Sequence, residues 1–468
     1  MWDTWLCRHD GIDYLYYLHT TGGFGDGVAL ARSGDGVHWE EYGEIIPRSS
    51  NAEWLGSGAV WPVDDGFAMN FSEMYQGRQT IYISTSQDLI HWKRGTRKCL
   101  PDPRWYDTER GSRWDCFFPI SIGEEGYRGY LTASPLRADV MPIDKRERLV
   151  GMVESTDGIN WRAAEPPLFD CPIPPDIWFP DDIEVGGASE LSGIIYLLLC
   201  SSGVQGDAAG AYVFKSANLE GPFVPDFRRF ALLASRDIRM TYFPRFYDRD
   251  GKLLVNHHSI ARSGLRWMAP LKQAALNENG SLELRFWPGN EQARGTPIPY
   301  KLNDSRTAGR GTSVSQMRND SLLVNAATGI EFQRLTTDFR PQTGAWIDAV
   351  IRDIRLPDES GGIGFLFGSE NDSTSTVVLV GDQIIRFYSS SKNILEGLSL
   401  HDEIPIAKNL HGNPHLRILV RDELMEVYFR DLLIQCFSLY SPWSGRIYVG
   451  GMRANGHLDQ VRLYNLNL

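Results

Sequence analysis

Ser33-Gly-Asp-Gly-Val-His-Trp39 is the stretch that decides the fold, because similar stretches recur at Ser86-Gln-Asp-Leu-Ile-His-Trp92 and Ser155-Thr-Asp-Gly-Ile-Asn-Trp161. All three share the pattern S-x-D-x-V/I-H/N-W, and a run rich in β-forming residues precedes each one. Aspartate and glycine are typical of tight turns, and tryptophan favours a strand. The repeated unit is therefore predicted to be a strand, an Asp-containing turn and a second strand that starts at the tryptophan.

Two weaker copies extend the repeat along the chain. Val213–Ser216 leads through Leu219–Pro222 to Phe223, and Asn256–Ser259 leads to Trp267. The units are spaced by several tens of residues, which is typical of propeller blades that are stable only when packed against their neighbours. A single β-sandwich is the weaker alternative because it would not need so many related units. The sequence thus predicts an all-β chain that begins with a five-bladed β-propeller.

Each unit also has one distinctive segment just before its first apolar run. The segments are Trp2-Asp-Thr-Trp5, Gly56-Ser-Gly-Ala-Val-Trp61, Trp114-Asp-Cys-Phe-Phe-Pro119, Asp182-Ile-Glu-Val185 and Tyr242-Phe-Pro-Arg245. The first strand of a propeller blade usually lines the central channel, so residues in equivalent slots converge on the axis. We therefore expect Asp3, Asp115 and Glu184 to lie together, with Ser57 and Arg245 completing the wall.

The second half of the chain predicts a different architecture. The propeller is expected over residues 1–295, and a linker rich in Gly, Pro, Thr and Ser over residues 296–317. Alternating runs such as Trp346–Ile351 and Leu416–Val420 then predict antiparallel strands of a β-sandwich over residues 318–468. We expect this domain to stabilise the propeller, and a separate lectin is the alternative reading.

Charge and composition exclude several classes of protein. Among 468 residues, 47 Lys and Arg stand against 59 Asp and Glu, and the net charge of −12 disfavours nucleic acid and anionic membranes as partners. No stretch reaches the roughly 18 apolar residues of a transmembrane helix, and no signal peptide is seen. As written, the sequence predicts a cytoplasmic protein, with secretion open if the N-terminus is truncated.

Neither the cysteines nor the histidines predict a metal site. The six cysteines show no C-x-x-C spacing and are interpreted as reduced and structural. His257 and His258 are adjacent in a predicted strand, so their side chains point in opposite directions, and the sequence offers no third ligand.

The converging carboxylates suit the hydrolysis of a glycosidic bond with retention of configuration. That reaction needs a carboxylate nucleophile and a carboxylic acid that protonates the leaving oxygen. The short side chain of Asp3 suits the nucleophile and the longer one of Glu184 suits the acid/base, while Asp115 could stabilise the charged transition state. Asp181, Asp182 and Glu73 compete with Glu184, which is preferred because apolar neighbours flank it in an alternating strand.

The same segments resemble those of a clan of glycoside hydrolases. Trp2–Trp5 resembles the nucleophile motif of levansucrases (family 68), and Trp54–Trp61 resembles the W-S-G-S-A segment of that family and of the invertases and fructanases (family 32). Trp114-Asp115 occupies the slot of their R-D-P motif, and Asp182–Val185 resembles the acid/base segment. The C-terminal sandwich is similar to the concanavalin-like domain of family 32.

This resemblance implies a retaining β-fructofuranosidase that uses neither a metal nor an organic cofactor and acts on a small oligosaccharide or a fructan. Asp3, Asp115 and Glu184 would be catalytic. The residues predicted to bind the substrate are Trp2, Trp5, Trp54, Ser57, Trp61, Arg113, Trp114, Asp182 and Arg245.

Several departures from the clan's motifs bear on the substrate. The N-D-P-N-G form is absent, Trp114 stands where the R-D-P motif has arginine, Cys116 stands where it has proline, and Val185 replaces a cysteine; Arg113 could substitute in part for the missing arginine. The sequence therefore leaves three alternatives open: a hydrolase for another furanoside such as an arabinofuranoside, a transglycosylase, and a noncatalytic carbohydrate-binding protein. It makes no prediction of oligomeric state.

Overall fold

The computed structural model describes residues 1–20, 25–136, 149–170, 183–201, 210–226, 232, 241–261, 263–264, 266–308, 312–318, 320–357, 359–369, 374–390, 397–406 and 414–468. Within these ranges the regular structure is almost entirely β-strand, with short 3₁₀ turns at Gly123–Glu125 and Pro288–Ala293. The prediction of an all-β chain is confirmed. No helix in the described ranges is long and apolar enough to cross a lipid bilayer.

The chain forms two compact units, the first within residues 1–287 and the second made chiefly of Pro288–Leu468. The first sheet of the first unit contains β1 (Trp2–His9), β2 (Ile12–His19), β3 (Gly27–Ser33) and β4 (Glu40–Pro47). The second sheet contains β5 (Leu55–Gly56), β6 (Val60–Val63), β7 (Gly66–Tyr75), β8 (Arg78–Ser86) and β9 (Trp92–Cys99). The third sheet contains β10 (Trp114–Ser121), β11 (Tyr127–Ala133), β12 (Leu149–Ser155) and β13 (Arg162–Ala164).

Two further groups of strands complete the first unit. The fourth sheet contains β14 (Glu184–Leu191), β15 (Ile194–Ser201), β16 (Gly210–Ser216) and β17 (Val224–Pro225). The fifth contains β18 (Thr241–Arg249), β19 (Lys252–Ile260), β20 (Arg266–Met268), β21 (Lys272–Leu276) and β22 (Leu282–Phe286). Consecutive strands pair antiparallel within each group, apart from breaks at β6 and β20.

The Ser-Asp-Trp repeat forms the turn that joins the two outer strands of a sheet. In the first copy one carboxylate oxygen of Asp35 accepts the amides of Val37 and His38 at 2.8 and 2.9 Å. The other oxygen hydrogen-bonds the His38 ring at 2.7 Å. Ser33 Oγ accepts the amides of Asp35 and Gly36 at 3.2 and 2.8 Å. The spacing of the motif therefore follows from an Asx turn in which each polar side chain satisfies a backbone amide.

The second and third copies repeat these contacts. Asp88 hydrogen-bonds the ring of His91 at 2.7 Å, and Asp157 accepts Asn160 Nδ2 at 2.6 Å. Histidine and asparagine are interchangeable at this position because both present a side-chain nitrogen to the aspartate. The residue after the aspartate is left-handed in each copy, and Leu89 adopts a φ of 64° with its side chain fully buried. Glycine fills this position in the other two copies, as left-handed backbone favours.

The fifth sheet departs from the predicted register of the repeat. Asn256–Ser259 lies in β19, the second strand of its sheet, whereas the matching residues of the other copies lie in the third strand. The turn between β21 and β22 is instead an Asx turn in which Asn277 Oδ1 accepts the amides of Asn279 and Ser281, both at 3.0 Å. The assignment of the fifth copy to Asn256–Trp267 is therefore wrong, because its histidines resemble the motif in composition only.

The sheets of the first unit have a propeller-like arrangement. Among their first strands, β1 contacts both β6 and β18, and β14 contacts both β10 and β18; β10 also contacts β7 of the second sheet. Separate hydrophobic cores fill the spaces between successive sheets, with members such as Tyr16 and Met69, Trp61 and Trp161, and Tyr130 and Leu197. These three cores lie between the first and second, the second and third, and the third and fourth sheets, and packing of each sheet on its neighbours is what a propeller requires.

A buried ionic cluster joins the first sheet to the fifth. Asp13 is fully buried at the start of β2 and accepts Arg8 Nη1 at 2.7 Å and Arg249 Nη2 at 3.1 Å, and the hydroxyl of Tyr247 also donates to it. Arg8 additionally contacts the exposed Asp250 at 2.9 Å. Since each sheet consists of consecutive strands, these side chains supply a link that no shared strand provides.

The second unit contains two antiparallel sheets. One has the strand order β25 (Ser313–Arg318), β26 (Ser321–Asn325), β37 (Asn455–Leu466), β28 (Ala345–Arg355), β33 (His415–Arg421), β34 (Leu424–Phe429) and β35 (Leu432–Ser438), and β23 (Arg294–Ile298) pairs with β37. The other has the order β24 (Leu302–Ala308), β27 (Ile330–Asp338), β36 (Trp443–Met452), β29 (Gly362–Ser369), β30 (Thr376–Val380), β31 (Ile384–Ser390) and β32 (Leu398–Pro405). Residues 296–317, predicted to be a linker, thus contain parts of β23, β24 and β25.

Both sheets of the second unit contribute side chains to one hydrophobic core. Ile347, Ile418 and Leu463 come from one sheet, and Phe365 and Val449 come from the other. These residues alternate with polar ones along their strands, which is the pattern expected where each sheet covers the core with one face.

Candidate active site

The first strands of the first unit are irregular at equivalent places, and the candidate site lies there. The register of β1 shifts between Trp2 and Thr4, and the second sheet has a break between β5 and β6 at residues 57–59. Similar shifts occur in β10 after Asp115, in β14 after Val185 and in β18 after Tyr242. A β-bulge redirects side chains relative to the ladder. Each predicted site residue on these strands is therefore next to a bulge or a break.

Asp3 occupies the bulge of β1 itself. Its φ is 42°, a left-handed conformation that aspartate tolerates better than most residues, and 7% of its surface is exposed. Ser57 lies on the side of the carboxyl group where it lowers the pKa of Asp3, against the larger effect of burial. Oδ1 has no hydrogen-bond partner among the described residues, so one carboxylate oxygen is left for another group.

Asp115 lies opposite Thr132, where the regular pairing of β10 and β11 ends. Its Oδ1 accepts the hydroxyl of Ser72, and it is 5% exposed. Gly56 lies directly against this pair: a Cβ atom there would be 2.5 Å from Ser72 Oγ, 2.7 Å from the ring of Trp54 and 2.8 Å from Asp115 Oδ1. Glycine is therefore required at position 56 to let the second sheet approach Asp115.

Glu184 is the first residue of β14 and pairs with Cys200 on β15. Ile183 and Val185 on either side of it are buried in a core, whereas the Glu184 side chain is 15% exposed, as the alternation predicted. The hydroxyl of Thr132 accepts the amide of Val185 at 2.9 Å and so fixes the backbone beside Glu184.

Arg113 connects two of the carboxylates. Its Nη2 atom donates to Asp115 Oδ2 at 2.8 Å and to Glu184 Oε1 at 2.6 Å, and 12% of its side chain is exposed. Charge-assisted bonds of this length position both acceptors strongly. Trp114 directly precedes Asp115 but has no charged group to offer it. Arg113, two residues before the aspartate, provides the guanidinium group instead.

Arg245 is a second cation at the site. Its side chain is fully buried, with the guanidinium carbon 4.4 Å from the centroid of the Phe243 ring and 5.8 Å from that of Phe118. Its Nη2 donates a long hydrogen bond of 3.4 Å to Ser57 Oγ. Ser57 is also buried, as are Asp3 and Asp115. The predicted contacts of Ser57 and Arg245 with substrate stay predictions.

The electrostatics single out Asp3 among the three acids. Burial raises the pKa of Asp3 well above its usual value, and the charges of Glu184 and Asp115 raise it further, while Arg245 and Ser57 act in the opposite direction. The structure thus brings the three acids together: Arg113 bonds to both Asp115 and Glu184, and both of these acids act on the charge of Asp3.

The predicted aromatic contacts divide into two groups. Trp2 and Trp54 are partly exposed near the site, and Trp2 lies 5.1 Å from the His258 ring. Trp5, Trp61 and Trp114 are buried to within a few per cent and belong to cores between sheets. Their predicted role in substrate binding is therefore corrected to a packing role: their apolar rings stabilise the interfaces between sheets.

Two acids, Asp182 and Glu73, competed with Glu184 in the sequence, and His257 and His258 were the candidates for metal ligands. Asp182 lies outside the described residues. Glu73 is fully buried, forms an ion pair with Arg94 and accepts the amide of Ser49 at 2.7 Å, so it is a structural acid. Burial lowers the pKa of His258 to about 3 and that of His257 well below its usual value, so both rings are neutral at pH 7.

Two asparagines on second strands, Asn70 and Asn256, hold the irregular strands in place, a role that the sequence did not predict. Asn70 Oδ1 accepts the amide of Ala59 at 2.6 Å, and its Nδ2 donates to the carbonyl of Phe117 at 2.7 Å. Asn256 Nδ2 donates to the carbonyl of Thr4 at 2.9 Å. Polar residues inside otherwise apolar strands are the signal that could have identified them, because a buried amide requires partners.

Comparison with solved structures extends the likeness to the whole chain. A family 32 β-fructofuranosidase from Bombyx mori, solved with sucrose, gives a TM-score of 0.65 at 11% identity over 99% of this chain and 92% of that one. Sucrose-6-phosphate hydrolase from Lactobacillus gasseri gives 0.63 at 13% identity over 99% and 91%. A fructofuranosidase from Schwanniomyces occidentalis complexed with fructosylnystose gives 0.63 at 13% identity over 100% and 96%.

No protein-family model and no curated protein matches the chain by sequence. At 11 to 13% identity, the structural likeness concerns the fold. The chain thus has the fold found in the invertase and fructanase clan of glycoside hydrolases, and the predicted resemblance is confirmed at that level.

Proposed function

We propose that this chain is a retaining glycoside hydrolase that acts on a β-fructofuranoside. The observation that carries the proposal is the shared site of Asp3, Asp115 and Glu184, which come from three different first strands; Arg113 links Asp115 to Glu184, and both of these acids act on the charge of Asp3. The fold of solved fructofuranosidases supports the same assignment. A small oligosaccharide is the proposed substrate, as in the solved complexes with sucrose and fructosylnystose.

The proposal includes a specific architecture. The sheets of the first unit would be the five blades of a propeller, an arrangement supported by the contacts of β18 with both β1 and β14. The second unit would be a β-sandwich, supported by the single core to which both of its sheets contribute. The boundary would lie near residue 287, where the first compact unit ends.

The proposed reaction has two steps. In the first, a carboxylate oxygen of Asp3 forms a bond to the anomeric carbon, the bond from that carbon to the leaving oxygen breaks, and Glu184 donates its proton to that oxygen. In the second, water attacks the same carbon, loses a proton to Glu184 and displaces Asp3 as a carboxylate. Asp115, held by Ser72 and Arg113, would bind sugar hydroxyl groups as positive charge develops on the ring.

The accessible parts of the site fit these roles. Glu184 is more exposed than Asp3, which suits a group that must exchange a proton with water, while the buried Asp3 suits a nucleophile held close to the backbone. Trp54 lies against Gly56 and Asp115, where its ring could pack on a sugar face.

The test is hydrolysis of a substrate panel by the wild type, Asp3→Asn and Glu184→Gln. The panel comprises sucrose, inulin, levan and synthetic arabinofuranosides. We expect hydrolysis of at least one fructoside and losses of several orders of magnitude in both variants, with a folded protein by circular dichroism. Activity on arabinofuranosides alone would overturn the fructose assignment, and an unchanged rate in either variant would overturn the mechanism.

A further inference from the structure

One sheet of the second unit is apolar on both faces. All five residues of β30 are buried, although successive side chains of a strand point in opposite directions. Val378 and Val380 belong to the main core, whereas Val377 and Leu379 belong to a smaller cluster on the other face of the sheet. This outer cluster also contains Phe332, Leu366 and Tyr388. Antiparallel sheets commonly have one solvated face with polar residues, so the apolar outer face requires another explanation.

A cavity of about 740 Å³ adjoins the outer cluster, and Tyr388 belongs to both. Leu398 and Met452, which pack against the cluster, also line the cavity. Leu400 completes its apolar part and is 49% exposed. The volume is within the range of roughly 300 to 1,000 Å³ that is typical of small-molecule sites. The outer face therefore has room for a small molecule that makes apolar contacts at one side.

The charged residues that line the cavity balance one another. They are two arginines, Arg386 and Arg453, and two glutamates, Glu359 and Glu403. Arg386 Nε donates to Glu403 Oε2 at 3.2 Å, and Arg453 Nη1 donates to Ser360 Oγ at 3.0 Å. An anion would meet the glutamates and a cation would meet the arginines, so the lining favours a ligand without net charge.

Arg386 is the charged group best placed to meet such a ligand. Only 11% of its side chain is exposed, and its Nη1 donates a long hydrogen bond of 3.4 Å to the carbonyl of Gly361. Nη2 forms no hydrogen bond with any residue that the structure describes, which leaves two N–H groups for a ligand. A guanidinium beside a carboxylate presents donors and acceptors side by side. This arrangement matches adjacent hydroxyl groups of a sugar, since each hydroxyl both donates and accepts.

We propose that this cavity is a second carbohydrate site, which binds a neutral oligosaccharide without cleaving it. Hydroxyl groups of the sugar accept from Arg386 and donate to Glu403, while its apolar ring face packs on Leu398, Leu400 and Met452. The inference goes beyond the proposed function, because the cavity belongs to the second unit and contains none of the three acids of the candidate active site. It gives the lectin alternative for this part of the chain a definite place.

The experiment is native gel electrophoresis of the full chain in gels that contain a polysaccharide. The neutral polymers are inulin, levan and arabinan, and polygalacturonate is the anionic one. All proteins carry Asp3→Asn so that the polymer stays intact, and the apparent Kd is taken from retardation against polymer concentration. Adding Arg386→Met should weaken binding of a neutral polymer by about 10- to 100-fold, because the ligand loses hydrogen bonds to a charged group. Retardation that remains in this variant measures binding at the candidate active site.

Two variants control for damage to the second unit. Arg352→Met removes an exposed arginine that pairs with Asp459 at 3.7 Å and does not line the cavity, so it should be retarded as the parent is. Leu400→Ala shortens a half-exposed side chain without touching the ion pair, and should weaken binding several-fold while the thermal unfolding curve stays the same.

Four results would overturn the inference: Arg386→Met is retarded as strongly as the parent, Arg352→Met loses as much affinity as Arg386→Met, only polygalacturonate retards the chain, or no neutral polymer retards it. The outcome is separate from that of the proposed function, because it measures binding by a chain without Asp3. If binding depends on Arg386 but the wild type hydrolyses no fructoside, the second site stands and the proposed function fails. If fructosides are hydrolysed and binding does not depend on Arg386, the second site fails and the proposed function stands.

Discussion

The cluster around Asp13 allows a quantitative prediction about how the first unit is held together. Asp13→Asn removes one negative charge from a fully buried position and changes the shape of the side chain very little. Arg8, Arg249 and Tyr247 would keep their positions but lose the charged acceptor that all three share. Removing one partner of a buried ion pair typically costs about 3 to 5 kcal/mol, because the remaining charges stay desolvated.

This loss should be visible in thermal and urea unfolding. The first unit lies within residues 1–287, and an unfolding entropy of about 2.1 cal/mol/K per residue then gives roughly 1.7 °C in Tm for each kcal/mol, so Asp13→Asn should lower Tm by about 5 to 8 °C. In urea the midpoint should fall while the slope of the transition stays the same, since the surface exposed on unfolding is unchanged. Both experiments use the full chain at low salt and again at high salt, where a buried cluster should be little affected.

Asp250→Asn is the matched control, because Asp250 contacts the same Arg8 from an exposed position. Exposed ion pairs contribute little, so this variant should unfold almost as the wild type does. If Asp13→Asn also lost less than about 1 kcal/mol, the link between the first and fifth sheets would have to come from apolar packing, and our reading of the cluster would be refuted.

Three further predictions concern the site and the repeat. Arg113→Met should lower kcat/KM on the substrate found by the panel by about 100-fold, since it removes a donor shared by two carboxylates, and an unchanged value would contradict this. Trp114→Ala should lose about 3 to 5 kcal/mol of stability in urea unfolding, whereas Trp54→Ala should raise KM and leave Tm within a few degrees; the reverse pattern would refute the corrected roles. Burial alone would raise the pKa of Asp157, but hydrogen bonds from its turn lower it to about 2, so the Tm difference between wild type and Asp157→Asn should be full above about pH 4 and shrink as pH falls toward 2.

The repeat could be read from sequence because it consists of local interactions. An aspartate that accepts amides two and three residues ahead leaves a fixed spacing, so Asp35, Asp88 and Asp157 were recognisable without any tertiary information. The fifth copy was misplaced because its turn uses Asn277 without a following tryptophan. The segment with His257 and His258 was chosen because its composition resembles the motif, whereas the turn at Asn277 resembles it less.

The side-chain environment of the site was harder to predict. The equivalence of slots placed Asp3, Asp115 and Glu184 together, but alternation along a strand could not show which tryptophans face a core, because bulges change the direction of the side chains. Trp61 and Trp114 were expected to bind substrate because their segments resemble motifs of the clan, and that resemblance carries no information on the direction of a side chain. The bridge made by Arg113 was foreseen only as a partial substitute, since its geometry depends on residues 71 positions apart.

The repeated bulges place stable strand pairing and the residues of the candidate site on different strands, although these two requirements usually conflict. Regular pairing in the second and third strands of each sheet carries the stability, while the first strands depart from regular pairing at the one level where Asp3, Asp115, Glu184 and Arg245 are found. Because side chains such as Asn70 and Asn256 satisfy the backbone groups around these departures, residues there can be exchanged without disturbing a ladder. New substrate preferences could then arise by substitution at a handful of positions, while the pairing of the other strands and the fold would stay the same.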